Sequence, residues 1–146
     1  MTSRKDAEII KSLRMNSRES TAGISRRTGI PVQTIMERIQ KLESNGIIKG
    51  YVSLVDFSKL GYWIRVCYLI RAGSKRESLE EFLLESQHIN NLQRIRGGFD
   101  LFAEAIFANL RELEEFQEAL MRLGAEEVEG HHILSEEKFE NFQIDV

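Results

Sequence analysis

The sequence predicts an α+β protein in two parts, three short helices followed by a sheet domain of order βαββαβ. Three observations carry that expectation. The hydrophobic period changes near Trp63, from helical spacing to strands alternating with amphipathic helices. The only proline, Pro31, stands between Gly29-Ile30 and a run of helix formers. The charge is also divided: residues 1–60 carry 11 Lys and Arg against 6 Asp and Glu, while residues 61–146 carry 9 against 17, so a +5 half precedes a −8 half in a chain of net charge −3. A basic binding module joined to an acidic one accounts for that asymmetry.

The first helix opens at Ser3-Arg4-Lys5-Asp6, a capping residue with an acid three positions on, and runs its apolar stripe through Ile9, Ile10 and Leu13. Asn16-Ser17 breaks it. Ser20 caps a second helix that extends to Thr28, and Gly29 suits the left-handed residue that ends a helix. Pro31 then starts the third helix, or lies within one residue of its start, because its φ is already near the helical value and the first turn has no use for its missing N–H. On a helical wheel Ile35, Ile39 and Leu42 fall within about 60° of one another and face the core. Gln33, Thr34, Glu37 and Lys41 point away, with Arg38 at the edge. Gly46 ends the helix, and "IIKGYVSLV" after it is rich in β formers.

In the second half "WIRVCYLIRA" is a strand with apolar residues on both faces. "SKRESLEEFLLESQH" is an amphipathic helix that buries Leu79, Phe82 and Leu83. "INNLQRIRG" and "DLFAEAIFA" are two strands joined through Gly97-Gly98-Phe99. "NLRELEEFQEALMRLG" is a second helix, burying Leu113, Phe116, Leu120 and Leu123, and "EVEGHHIL" closes the sheet. This is the ferredoxin-like split βαβ order. Leu-Glu-Glu-Phe occurs at 79–82 and again at 113–116, once in each helix, where a duplicated βαβ unit would put it. Helices on one face leave the other bare, and its apolar residues predict sheet-to-sheet dimerisation.

The composition is that of a globular chain, 42% hydrophobic and 29% charged. No apolar run approaches the roughly 20 residues of a membrane span, and the start lacks a signal-peptide core, so a cytoplasmic protein without membrane association is expected. The single cysteine, Cys67, excludes an internal disulfide framework and reads as a small buried hydrophobe. No Cys/His ligand spacing, nucleophile triad or phosphate loop is present, so no cofactor is expected. His131 and His132 are adjacent in a strand and point to opposite faces, which separates them from any common site.

Two helices joined by a tight glycine turn, the second with a polar outer face, form a helix-turn-helix, and double-stranded DNA is the expected partner. Gln33, Thr34 and Arg38 are placed for base edges or phosphates, Arg26, Arg27, Lys41 and Lys49 for the backbone, and Glu37, which phosphate repels, for a cytosine N4 amine.

The string Arg38-Ile39…Leu42-Glu43…Gly46-Ile47-Ile48-Lys49-Gly50-Tyr51, with Arg18, Ile24, Gly29-Ile30 before it and Leu60-Gly61 after it, resembles the Lrp/AsnC family of feast/famine transcription regulators. "RIRGGFDLF" resembles the family's Gly-Asp-Tyr-Asp hairpin, so the likeness covers nearly the whole chain. It implies a winged helix-turn-helix at 1–50, a linker strand at 51–61, and a ferredoxin-like sensing and oligomerisation domain at 62–146. It implies homodimers assembling to octamers, and an amino-acid effector at the dimer interface, held at Gly97, Gly98, Asp100, Val128 and Gly130. Three departures stand out. Pro31 replaces the usual capping serine, Glu37 replaces a common basic residue, and Val128 and Gly130 occupy positions where threonines often line the pocket. Sirohaem decarboxylases share the architecture and form the enzymatic alternative.

Overall fold

Ser3 starts the first helix, α1 (Arg4–Met15), through a reciprocal cap. Its hydroxyl accepts from the Asp6 N–H at 3.2 Å, and the Asp6 carboxylate accepts from the Ser3 N–H at 3.0 Å. The computed structural model describes residues 3–144, so the outer ends of both expected domains, 1–2 and 145–146, lie outside it. Helix α2 (Thr21–Thr28) is capped by the Ser20 hydroxyl, which accepts from the Gly23 N–H at 3.0 Å. It ends at Gly29, whose φ of 72° a side chain would strain. Helix α3 runs Val32–Ser44. Pro31 is the residue before its first turn, extended at φ −57° and ψ 141°, and its carbonyl accepts from the Ile35 N–H at 3.0 Å. It therefore directs the chain into the helix without a side-chain cap. Ile9, Ile24, Ile30 and Ile35 form the core of these three helices, with Leu13 and Ile39 packed against it.

The β-rich segment after α3 departs from expectation. Gly46, at φ 68°, turns the chain so that the Ile47 and Ile48 N–H groups return to the Leu42 carbonyl. Residues 49–56 then form no strand, and Phe57–Leu60 is a 3-10 turn capped by Asp56. The linker strand expected at 51–61 is thus absent from the described residues. β-propensity becomes a strand only where backbone groups meet a neighbour, and among the described residues none of the four strands pairs with the segment.

The second set of elements follows the predicted order: β1 (Ile64–Arg71), α4 (Arg76–Glu85), β2 (Ile89–Arg94), β3 (Leu101–Phe107), α5 (Leu110–Arg122) and β4 (Glu127–His132). The sheet order is β2-β3-β1-β4, every pair antiparallel. Val66, Tyr68 and Ile70 of β1 are wholly buried in one core with Leu79 and Leu83 of α4 and Leu113, Phe116 and Leu120 of α5. The repeated Leu-Glu-Glu-Phe serves both helices alike. Leu79 and Leu113 are buried, and the Phe82 and Phe116 rings meet at 5.7 Å.

The chain divides into two compact units, one reaching to Leu54 and taking in the segment after Glu137, the other Val55–Glu137. The closing segment therefore groups with the first helices, where Arg14 Nη2 donates to the Glu140 carbonyl at 2.9 Å. Among the described residues no helix is long and apolar enough to cross a membrane.

Candidate nucleic-acid interface

The turn Gly29-Ile30-Pro31 sets the crossing of α2 and α3, because Ile30 is buried in the helical core between a left-handed glycine and an extended proline. That anchorage gives α3 one orientation and turns its other side outward. Gln33, Met36, Glu37, Gln40 and Lys41 are exposed there, and Thr34 is half-buried. Gln33 Nε2 donates to Glu37 Oε1 at 2.9 Å, one helical turn away. On α2, Arg26 is exposed, and Arg27 is exposed but ion-paired with Glu19. Lys49 is exposed beyond the helix.

Arg38 behaves differently. Its Nη1 lies 2.7 Å from Asp6 Oδ1 and 2.9 Å from Ser3 Oγ, with the side chain 33% exposed. The only arginine of α3 thus braces that helix against the cap of α1. Sequence reasoning placed it at the edge of the helix and offered it to DNA, but the partners that hold it are 32 and 35 residues away in the chain. Met36 and Gln40, which the sequence reading left out, share the outward face. Their wheel positions, roughly 100° and 140° from Ile35, were the signal that would have found them.

The brace has a measurable consequence. Burial pushes the Asp6 carboxyl up, but hydrogen bonds from Ser3 and Arg38 outweigh it and hold the group at about 2, below its ordinary 3.8. A depressed carboxyl contributes stability that is fully present above its unfolded value and lost as pH falls through the folded one. Arg38→Ala should therefore raise the Asp6 midpoint toward 3.8, and acid loss of the helical unit should begin nearer pH 4. The expected cost near neutral pH is about 1 kcal/mol, discounted for solvent screening. Carboxyl-detected NMR titration checks it, and an unchanged midpoint in the variant would remove the brace.

The hairpin between β2 and β3 carries a second group of expected site residues. Gly97 and Gly98 have φ of 124° and 108°, and the space beside each is open. Arg71 Nε donates to the Gly98 carbonyl at 3.0 Å, and its guanidinium lies 5.4 Å from the centre of the Phe99 ring. Asp100 Oδ2 accepts from the Ala72 N–H at 2.8 Å, which commits that oxygen to holding the hairpin against the end of β1. Val128 pairs with Ile70 and Gly130 with Tyr68, so both lie on the face of those buried core residues. A Cβ on Gly130 would stand 3.0 Å from the Tyr68 ring. The missing side chain is thereby explained by packing. Gly97, Gly98 and Asp100 come together, while Val128 and Gly130 belong to the strand pair. His131 Nε2 lies 2.6 Å from Glu129 Oε1, its neighbour on one strand face.

Known proteins match this arrangement. A family of winged helix-turn-helix DNA-binding domains matches residues 2–49. An HTH-type transcriptional regulator of Pyrococcus furiosus is 32% identical over 112 residues, covering 76% of this chain and 76% of that protein. LrpC of Bacillus subtilis has a solved structure that superposes with a TM-score of 0.86 at 25% identity, covering 94% of this chain and 98% of its own. A transcriptional regulator of Neisseria meningitidis, solved in complex with L-Met, shares the fold with a TM-score of 0.85 at 19% identity, over 95% and 94% of the two chains. These relatives are transcription regulators and not enzymes, which sets the decarboxylase alternative aside. With its helix-turn-helix ahead of an antiparallel βαββαβ sheet, the chain belongs to the Lrp/AsnC family of transcriptional regulators.

Proposed function

We propose that this regulator reads duplex DNA as a homodimer that assembles further to octamers in the cytoplasm, and that a small molecule of the amino-acid class adjusts that binding. The observation that carries the DNA reading is the outward face of α3, where exposed Gln33, Glu37 and Gln40 surround Met36, flanked by exposed Arg26, Lys41 and Lys49. In this reading Arg26, Arg27, Lys41 and Lys49 meet phosphates, while Gln33, Thr34 and Glu37 meet base edges. Arg38 positions α3 through Asp6.

Two features support self-association. The connecting segment exposes Val52 at 80% and Trp63 at 72%, with Leu54 and Val55 between them. Exposed β-forming sequence without a partner in its own chain is a template for pairing with another. The sheet face opposite the buried core presents Cys67, Leu69 and Phe102 around the Arg65–Glu104 pair, 3.2 Å apart.

The effector reading is supported by the methionine bound to the Neisseria protein, a fold relative. In this chain the open backbone of Gly97 and Gly98 is suited to a ligand carboxylate. With no hydroxyl at Val128 or Gly130, an apolar amino acid suits the site better than a polar one. A thermal-shift screen of the twenty amino acids tests this. One apolar amino acid should stabilise the protein, by about 2.7 kcal/mol at 100 times its Kd, and Gly98→Val should abolish the shift. A screen in which none stabilises the wild type overturns the effector reading. Light scattering at micromolar concentration decides the oligomer, and a monodisperse monomer would end that part of the proposal.

A further inference from the structure

We infer that Glu37 is the specificity-determining residue of the DNA-reading helix, and that it selects a cytosine in each half-site by accepting from the base's N4 amine. The inference rests on the DNA-binding reading above and concerns what that surface reads.

Its starting point is what α3 presents after folding. A bidentate arginine on guanine is the commonest specific contact in the major groove. The only arginine of α3 is turned to α1, where Asp6 and Ser3 hold its Nη1. What remains outward is Gln33, Met36, Glu37 and Gln40, with Lys41 toward the end of the helix. Met36 is 52% exposed, an apolar side chain among polar ones.

Glu37 is the anomaly on this face. A carboxylate brought into the groove is repelled by the phosphates unless a donor compensates it. No cation lies within ion-pair distance of Glu37 among the described residues, although Lys41 is one turn away. Its one described partner is Gln33, whose amide donates to Oε1 at 2.9 Å, and the residue is exposed. That hydrogen bond also orders the glutamate before DNA arrives.

The base code then discriminates. Guanine presents two acceptors, N7 and O6, and thymine presents the acceptor O4, so both repel a carboxylate. Adenine offers its N6 amine beside the acceptor N7, and the carboxylate meets both at once. Cytosine offers its N4 amine beside a C–H, with no adjacent acceptor. It is the one base edge that satisfies an unneutralised carboxylate without a competing repulsion. Met36, on the flank, suits a thymine methyl, and the second N–H of Gln33 with its carbonyl suits adenine.

Selection from randomised duplexes, run in parallel on the full-length wild type and Glu37→Gln, tests the inference. The residue is exposed, and glutamine keeps its size and helix propensity, so the fold is preserved. The wild type should enrich a cytosine at one fixed position of each half-site, and the variant should replace it by adenine, which glutamine reads bidentately. On the selected duplex, exchanging that cytosine for N4-methylcytosine places a methyl where the groove-facing N–H was. This should weaken the wild type about tenfold and leave Glu37→Gln within about twofold. Glu37→Gln should also bind unrelated duplex more tightly than the wild type, because a repelled charge is gone. The same consensus from both proteins, or equal sensitivity of both to the methyl group, overturns the cytosine assignment while DNA binding stands. Failure of the wild type to retain any duplex overturns both.

Discussion

Phe116→Ala is expected to be the most damaging single substitution in the second unit, at a cost of about 3–5 kcal/mol. The ring is buried at the crossing of α5 with the sheet and meets three other aromatic rings within 6 Å: Phe107 at 5.3 Å, Tyr68 at 5.6 Å and Phe82 at 5.7 Å. Removing it leaves those neighbours facing a void that none of them can fill without leaving its rotamer. Domains of this size hold only about 5–15 kcal/mol in total, so the variant should lose about 15 °C or more in Tm. The helical unit has a separate core of Ile9, Ile24, Ile30 and Ile35. Melting followed by far-UV circular dichroism should therefore show an early transition carrying the β signal. A Tm within a few degrees of the wild type would mean that the aromatic cluster does not organise this sheet.

The second large effect is electrostatic. Arg26, Lys41 and Lys49 are exposed, and Arg27 shares its charge with Glu19, so about four phosphate contacts are available per chain. Each contributes a slope of about −0.9 in log affinity against log salt, so the two chains of a dimer together predict a loss on the order of ten thousandfold between about 50 and 200 mM salt. The double variant Arg26→Ala, Lys41→Ala should halve that slope and weaken specific and unrelated duplexes alike. Fluorescence anisotropy across a salt series measures both quantities. A slope unchanged in the double variant would place the phosphate track on other residues. Glu37 gives the complementary pattern, a change in preference with little change in slope. The two kinds of contact are thereby separable in one data set.

Much of this architecture was legible without coordinates, because it rests on local rules. Ser3 with Asp6, Ser20, Gly29 and Pro31 marked the helix ends, and each is where the chain turns. The alternation through Val66, Tyr68 and Ile70, and the paired Leu-Glu-Glu-Phe segments, announced one buried face of a βαββαβ sheet. A period of two or of 3.6 residues is a property of sequence neighbours, and so it can be read along a chain. The outward set Gln33, Glu37 and Lys41 was legible for the same reason.

Other features depended on residues far apart in the sequence. Arg38 reads from the sequence as a DNA contact, and Asp6, 32 residues earlier, lies 2.7 Å from it as a second partner. Asp100 looked like a ligand for an ammonium group, yet one of its oxygens accepts from the backbone of Ala72, 28 residues away. Gly130 looked like a lost hydroxyl, and the ring of Tyr68 occupies the approach to its missing Cβ. The segment 51–61 has the composition of a strand but no strand beside it in this chain. The sequence by itself determined which elements form and which faces they bury, since periodicity and capping act over a few residues. Only the tertiary structure decided which charged and polar groups stay free for a ligand, because a side chain's partner is chosen by distance in space.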